Sequence, residues 1–161
     1  MSAESWGEPG GEGVAEGLSV RRATPDDLDA IMEVERAAHA HPWQRESFER
    51  EFTLEWSRIW VATEGERVAG FLAYWRVLDE LHILDVAVHP EFQRRGIARG
   101  MLEMLIALGH AHEVVSVLLE VRVSNKAAIA LYKRLGFERM GRRKRYYDDG
   151  EDAWVMCAEL G

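Results

Sequence analysis

The most constraining feature of this chain is a junction where a strand-like apolar run turns sharply into an amphipathic helix. The run "ILDVAV" is stopped by Pro90, and "QRRGIA" at 93–98 follows after a short turn. Beyond the turn, apolar residues recur at i, i+3, i+4 and i+7, the spacing of one helix face: Ala98, Met101, Leu102 and Leu105. A helix that begins directly after a strand presents unpaired backbone N–H groups and the positive end of its dipole at one point. This arrangement favours an anion site, and phosphate is one such anion.

The side chains of the turn agree with a phosphate site. Gly96 allows the backbone to approach a ligand closely, and Ala98 is nearly as small. Gln93, Arg94 and Arg95 add hydrogen-bond donors. The pattern is neither the dinucleotide fingerprint G-x-G-x-x-G nor a P-loop. On these residues alone, a basic helix start without a ligand remains the alternative.

The order of elements along the chain predicts an α/β fold with a mixed sheet and helices on both of its faces. The pattern is β-α-α-β-β-β-α-β-α-β-β. Strands are predicted at 18–23, 58–63, 67–78, 81–88, 113–123 and 154–160, with one further strand before the last, and helices at 24–40, 44–52, from Gly96, and at 124–137. Residues 1–17 are rich in Gly and Glu and lack periodicity, so we expect a disordered extension before a domain at 18–161.

Composition excludes several classes of protein. A net charge of −8 over 161 residues disfavours a general nucleic-acid binder, which needs a broad cationic face. The basic run at 142–145 is typical of a solvated hairpin edge, although RNA or a phosphate of a cofactor could also contact it. No signal peptide or membrane span is visible, and the single cysteine, Cys157, permits no internal disulfide, so we expect a cytoplasmic protein without a membrane partner. Cys157 lies in an apolar run and is interpreted as a buried structural thiol.

No metal site is predicted from the histidines. The six His residues do not form a convincing ligand set. His110 and His112 are two residues apart and therefore lie on different helix faces, unlike ligand pairs at i and i+4.

Two residues are candidates for proton transfer. In "VSVLLEVRV", alternation places Glu120 on the more polar face of an otherwise apolar strand. In the following helix, Tyr132 falls on the predicted core stripe with Ala128, Leu131 and Leu135. Taken singly, each has an ordinary interpretation: Glu120 would pair with Arg122 or another cation, and Tyr132 would be a core aromatic.

The segment "VAVHPEFQRRGIARGML" resembles the acyl-CoA motif of the GNAT N-acetyltransferase family, whose core is [QR]-x-x-G-x-[GA]. The resemblance implies a GNAT fold, a mixed, mostly antiparallel central sheet splayed at its middle strands, and acetyl-CoA as the co-substrate. It implies that the turn holds the pyrophosphate through backbone N–H groups. It also implies that the preceding strand carries a bulge at Val86–Val88, and that pantetheine lies along this strand like an added strand. The implied cofactor-binding residues are Val86, Ala87, Val88, Gln93, Arg94, Arg95, Gly96, Ile97 and Ala98.

Residues 118–137, "LLEVRVSNKAAIALYKRLGF", closely resemble the ribosomal-protein-alanine acetyltransferase branch of that family. This resemblance implies that Glu120 is the general base, that Tyr132 is the general acid, and that Asn125 contacts the cofactor; the ordinary interpretation of Asn125 is a helix-start residue. "AHAHPWQRESFERE" and "YYDDGEDAWVM" resemble two further segments of the branch, so the likeness extends over 18–160. The spacing between the tyrosines and "EDA" is slightly short for the branch. Trp43 is either a core anchor or part of the acceptor groove.

The implied reaction is acetyl transfer to the N-terminal alanine of a small-subunit ribosomal protein. Three alternatives stay open at this stage. The acceptor could be a small-molecule amine, it could be another protein N-terminus or a lysine, or the chain could be an acyl-CoA-binding regulator without catalysis. The sequence does not set the oligomeric state, and a monomer is compatible with the reaction.

Overall fold

A seven-stranded sheet organises the chain in a computed structural model that describes residues 7–9 and 17–161. The strands are β1 (Ser19–Arg22), β2 (Ser57–Glu64), β3 (Arg67–Val77), β4 (Glu80–Val88), β5 (Ser116–Arg122), β6 (Glu138–Arg143) and β7 (Ala153–Glu159). Their spatial order is β1-β2-β3-β4-β5-β7-β6. All neighbouring strands pair antiparallel except β4 and β5, which are parallel. The mixed, mostly antiparallel sheet predicted from the sequence is therefore confirmed.

Helices cover both faces of the sheet, as predicted. They are α1 (Leu28–Ala38), α2 (Arg45–Glu51), α3 (Ile97–Ala111) and α4 (Lys126–Arg134). The first two close one apolar core with Ile31, Phe48 and Phe71 at its centre. The other two close a second core around Leu102 and Tyr132. No helix in the described part of the chain is long and apolar enough to cross a membrane.

The N-terminus of α1 shows why the chain turns into a helix at that point. A 3-10 turn at Pro25–Asp27 precedes α1, so the α-helix begins later than the predicted 24–40. The Asp27 carboxylate accepts a hydrogen bond from the Thr24 backbone N–H at 2.8 Å and pairs with Arg21 at 2.7 Å. The acid thereby satisfies an N–H group at the helix start, and the neighbouring Arg21 lowers the pKa of Asp27.

The structure corrects two details of α4. The cap is Asn125, whose side-chain oxygen accepts the Ala128 N–H at 3.2 Å, and not Ser124. Ile129 joins Tyr132 as a buried residue, whereas the predicted stripe residues Ala128, Leu131 and Leu135 are only partly buried at its margin. The buried stripe is therefore centred on Ile129 and Tyr132, which are three residues apart and lie on one face of the helix.

The β6–β7 edge also differs in one respect from expectation. All residues of β6 are exposed, which agrees with the basic run as a solvated hairpin edge. Cys157 on β7 pairs in register with Glu138 of this edge strand and is half-buried rather than fully buried, because β6 offers little cover. Partial burial nevertheless raises the pKa of the Cys157 thiol.

Most of the predicted extension, 1–6 and 10–16, lies outside the described residues. Of the remainder, Gly7 is buried. Its carbonyl oxygen accepts hydrogen bonds from Trp60 Nε1 at 2.6 Å and from the Tyr74 hydroxyl at 3.3 Å.

Close approach of β3 to β4 requires a glycine at position 70. A Cβ built on Gly70 would lie 2.7 Å from the backbone oxygen of Ala87, a contact that only backbone movement relieves. We expect Gly70→Ala to lower the free energy of unfolding by about 1–3 kcal/mol through overpacking. Gly141→Ala is the matched control, because a Cβ at Gly141 meets nothing within 4 Å. Urea denaturation of both variants measures the difference, and equal stability of the two would contradict the expectation.

Candidate active site

The site begins where β4 and β5 separate. Their parallel ladder covers only four residue pairs and ends at Ile83 and Leu119. Beyond that point β4 continues along β3 to Val88, while β5 continues along β7 to Arg122. The two central strands therefore diverge. Between Leu84 and Val88, the edge of β4 that would face β5 has no strand partner among the described residues.

A β-bulge marks the start of the divergence. Ala73 of β3 pairs with Asp85, whereas Tyr74 pairs with Ile83, so Leu84 is the extra residue. The family resemblance implies a bulge within Val86–Val88; the structure places it just before this segment. Val86, Ala87 and Val88 themselves remain paired to β3 on one side only. They thus present the open strand edge that an extended ligand could join.

The turn after β4 has the geometry that an anion site requires. Gly96 is the N-cap of α3 with φ 74°, and Arg94 also has a positive φ of 67°. A Cβ at Gly96 would meet nothing within 4 Å, so space lies in front of the helix start. α3 begins at Ile97, so the N–H groups of Ile97, Ala98 and Arg99 have no partner within the helix.

The side chains of the turn have separate roles. Ile97 is buried at 2% exposure, so it can offer only its backbone to a ligand. Arg95 pairs with Glu64 at 2.9 Å and lies over the Phe92 ring. Gln93 and Arg94 are exposed beside the turn. The structure thus brings the predicted turn residues together around one helix N-terminus, with backbone groups rather than Arg95 at its centre.

Glu120 lies one residue beyond the end of the parallel ladder, on β5. The alternation predicted for this strand is confirmed, with Val117, Leu119 and Val121 buried. The carboxylate is 11% exposed, and its Oε2 lies 2.6 Å from His82 Nε2. Arg143 Nε is 3.8 Å from the other oxygen. Glu120 therefore pairs with His82 rather than with Arg122, the sequence neighbour that its ordinary interpretation offered.

No motif or periodicity in the sequence assigns His82 to the site. His82 is opposite Leu118 in the β4–β5 register, and so it meets Glu120 diagonally across the two strands. Only the strand pairing reveals this contact, because residues 82 and 120 are far apart in the chain. The ring N–H of His82 can donate to the carboxylate and fix its orientation.

Tyr132 projects from α4 and is 6% exposed, packed against Phe137 with ring centroids 5.6 Å apart. Its hydroxyl forms no hydrogen bond within the described residues. Burial raises the pKa of Tyr132 far above its usual range, and the negative charge of Asp85 adds to the rise. The phenol is therefore protonated at neutral pH and can act as a donor.

The loop between β6 and β7 completes the site. Burial raises the pKa of Tyr147 to about 12, and the charge of Glu120 contributes to the rise. Tyr147 also contributes to the raised pKa of Tyr132. Glu120, Tyr132 and Tyr147 therefore share one electrostatic neighbourhood. The Arg122 guanidinium lies 4.0 Å from the centre of the Tyr147 ring.

Ion pairs hold this loop in place. Arg122 Nη1 lies 2.9 Å from both Asp149 and Glu151. Asp149 in turn lies 3.4 Å from His41, which precedes α2. The segment between α1 and α2 and the β6–β7 loop thus meet on one side of the site. Trp43 in that segment packs on Phe48 with centroids 5.1 Å apart and is half-buried, as a core anchor would be.

Comparison with known proteins agrees with this geometry. The model of the Acetyltransferase (GNAT) family matches residues 28–137. A "[Ribosomal protein bS18]-alanine N-acetyltransferase" of Salmonella typhimurium is 42% identical over 142 residues, which are 83% of this chain and 92% of the relative. The protein of the same name from Escherichia coli is 39% identical over 137 residues.

Solved structures give the same result. The crystal structure of the ribosomal-protein-S18-alanine N-acetyltransferase from Escherichia coli superposes with a TM-score of 0.83 at 37% identity, covering 89% of this chain and 94% of that one. Arabidopsis thaliana NAA60 in complex with acetyl-CoA shares the fold, with a TM-score of 0.80 at 21% identity, 89% of this chain and 98% of that chain being covered. The splayed sheet, the turn at the start of α3 and the sequence likeness agree: this chain belongs to the GNAT acetyltransferase family.

Proposed function

We propose that this protein transfers the acetyl group of acetyl-CoA to the N-terminal α-amine of alanine in ribosomal protein bS18. Two relatives of 39% and 42% identity bear the name of that activity. Each is matched over most of its own length, 92% in both cases. The observation that carries the proposal is the carboxylate of Glu120 one residue beyond the end of the β4–β5 ladder, with Asp85 of the same strand β4 close enough to the buried phenol of Tyr132 to raise its pKa.

The residues around the gap fit acetyl-CoA. The free N–H groups at the start of α3 and the helix dipole suit a diphosphate, and Gly96 leaves room for it. The unpaired edge at Val86, Ala87 and Val88 suits the amide groups of pantetheine. Exposed Gln93, Arg94 and Asn125 lie where they can supply further contacts, with the Asn125 oxygen already engaged in capping α4. When bound, acetyl-CoA supplies a thioester carbonyl for attack by an amine.

Glu120 is proposed as the general base. The attacking amine nitrogen loses a proton as its new bond to the acetyl carbon forms, and Glu120 accepts that proton, directly or through a water molecule. The short contact with His82 keeps the carboxylate directed into the gap. His82 is thus a positioning residue for the base.

Tyr132 is proposed as the general acid. Departure of the thiolate requires a proton at sulfur, and Tyr132 gives up its hydroxyl proton for this step. Burial keeps the phenol protonated until that moment. The absence of a hydrogen bond from its hydroxyl to any described residue leaves the proton available to a ligand.

A single carboxylate base is better matched to an α-amine than to a lysine. An α-amino group has a pKa of about 7.7–8.0 and a lysine side chain about 10.4. At neutral pH about 10–15% of α-amines are already uncharged, against well under about 0.1% of lysines. This difference corresponds to roughly 3–4 kcal/mol in available nucleophile.

An acceptor assay tests the activity. With acetyl-CoA and a peptide copying the alanine N-terminus of bS18, we expect one acetyl group on the α-amine, located by tandem mass spectrometry. A peptide with the same sequence and a blocked N-terminus is the matched control and should remain unmodified. A panel of polyamines and internal-lysine peptides separates the alternative acceptors. Acetylation of those amines in preference to the α-amine would contradict the proposal.

Replacing the base should affect turnover more than cofactor binding. We expect Glu120→Gln to lower kcat by about 10²-fold or more, since general-base catalysis is worth about that factor. The Kd for acetyl-CoA should stay nearly constant. Glu138→Gln on the exposed strand β6 is the control and should retain full turnover. Unchanged kcat in Glu120→Gln would remove this residue from the mechanism.

The helix start can be tested with two glycines of similar conformation. Gly96 and Gly136 have φ of 74° and 97°, and a Cβ at either meets nothing within 4 Å. Alanine at each position therefore introduces a similar backbone strain. Only Gly96→Ala should raise the KM for acetyl-CoA, by about tenfold, because its Cβ enters the space assigned to the diphosphate and displaces it from one charge-assisted hydrogen bond, which is worth about that factor. Equal KM values in steady-state assays of the two variants would contradict the assignment of the diphosphate site.

A further inference from the structure

A second cluster of polar side chains lies between α1 and β4. It consists of Glu35 and His39 from α1 and its C-terminal cap, and Asp85 from β4, just after the bulge. His39 Nε2 lies 3.0 Å from Asp85 Oδ1 and 3.6 Å from Glu35 Oε1. One ligand atom from each residue falls within 4.8 Å of the other two. The cluster therefore brings a nitrogen and two carboxylates to one point.

Burial makes this cluster unusual. Glu35 is 1% exposed and the Asp85 side chain is 9% exposed. Glu35 Oε1 and Asp85 Oδ2 are both buried without a hydrogen-bond partner among the described residues. Buried carboxylate oxygens are costly unless something positive lies against them. The contact with Asp85 raises the pKa of His39 to about 9, so a protonated imidazole lies beside the two carboxylates, yet it donates to neither Glu35 Oε1 nor Asp85 Oδ2.

We propose that Glu35, His39 and Asp85 form a binding site for a divalent transition-metal ion, with Zn²⁺ as its best-suited occupant. Zn²⁺ binds nitrogen and carboxylate ligands at about 2.0–2.2 Å in tetrahedral geometry, which separates neighbouring ligand atoms by about 3.3 Å. The observed separations of 3.0 and 3.6 Å lie on either side of that value. Small side-chain adjustments suffice to place the three ligand atoms around one ion.

The surroundings of the three residues match those of metal ligands. The Trp43 backbone N–H donates to Glu35 Oε2 at 2.9 Å, leaving Oε1 for an ion. His39 also has a hydrogen bond with the Val86 backbone, which fixes the ring. Outer partners of this kind orient histidine and carboxylate ligands in metal sites. His39 is 34% exposed, so an ion can enter from solvent and water can complete the coordination.

Glu35 and His39 have the i, i+4 spacing that places two ligands on one helix face. The third ligand comes from the strand that opens the gap to β5. An ion held by all three residues would connect α1 to β4 beside the bulge. It would thereby stabilise the packing of α1 on the splayed part of the sheet. This role is distinct from the proton transfers assigned to Glu120 and Tyr132, although an ion on Asp85 would reduce the contribution of that carboxylate to the raised pKa of Tyr132.

A proton shared between Glu35 and Asp85 is the competing occupant. Without a cation, burial and the neighbouring Asp85 raise the pKa of Glu35 to about 8. Zn²⁺ binding distinguishes the metal ion from the shared proton. Only a metal site binds added Zn²⁺ with a defined stoichiometry, and only a metal site requires all three side chains for that binding.

The test is titration of Zn²⁺ into the full-length chain, free of affinity tag and previously treated with a chelator, by isothermal titration calorimetry. We expect one Zn²⁺ per chain, with tetrahedral absorption bands when Co²⁺ replaces it. At Zn²⁺ concentrations about 100-fold above Kd, Tm should rise by about 5 °C or more. Glu35→Gln, His39→Asn and Asp85→Asn should each weaken binding by more than about tenfold.

His41→Asn is the matched control, because His41 is close in sequence, exposed and outside the cluster. This variant should bind Zn²⁺ as tightly as the original chain. Circular dichroism identifies any variant that fails to fold. The Zn²⁺ affinities of the near-isosteric variants Glu35→Gln and Asp85→Asn then test the proposal. The proposal is overturned if the chain does not bind one Zn²⁺. It is also overturned if the three cluster variants bind Zn²⁺ as tightly as the original chain, and a shared proton is then the occupant.

Discussion

The early end of the parallel ladder between β4 and β5 is the constraint on which the rest of the site depends. The bulge at Leu84 changes the register of β4 against β3 just after Ile83, the last residue that pairs with β5. Within residues 7–9 and 17–161, no strand pairs with that edge of β4 after Ile83. The same strand leads, a few residues later, into the turn at Gly96. An open edge and a helix N-terminus therefore arise from one strand, and a long ligand can use both.

The divergence also sets the electrostatics of the gap. Glu120 is the first residue of β5 beyond the ladder, and His82 lies within the last paired residues of β4. Each charged group at the gap has a specific partner: Glu120 has His82, and Arg122 has the acids of the β6–β7 loop. Tyr132 differs, because burial keeps its phenol neutral and its hydroxyl has no described partner. The buried phenol and the paired carboxylate thus have different surroundings.

Much of the fold followed from local sequence. Period-two alternation identified β5 and the polar face on which Glu120 lies, and helical spacing identified α3. Gly96 was predicted at a helix start, where its positive φ is observed. The prediction was wrong where two neighbouring residues are equally suited to one role. Ser124 and Asn125 can both cap a helix, and the structure shows Asn125 as the cap of α4. The bulge was expected slightly too late, because a register change depends on the neighbouring strand, which local sequence does not specify.

By itself, the sequence determined the order of strands and helices, the phosphate-compatible turn and the two candidate residues for proton transfer, because these depend on periodicity, on glycine and on motifs short enough to read along the chain. Only the tertiary structure decided which distant side chains meet. His82 reaches Glu120, and Asp85 reaches Glu35 and His39, across strand and helix contacts. These pairings follow from sheet register and from helix packing over a splayed sheet, and such long-range geometry leaves no periodic signal in the amino-acid order.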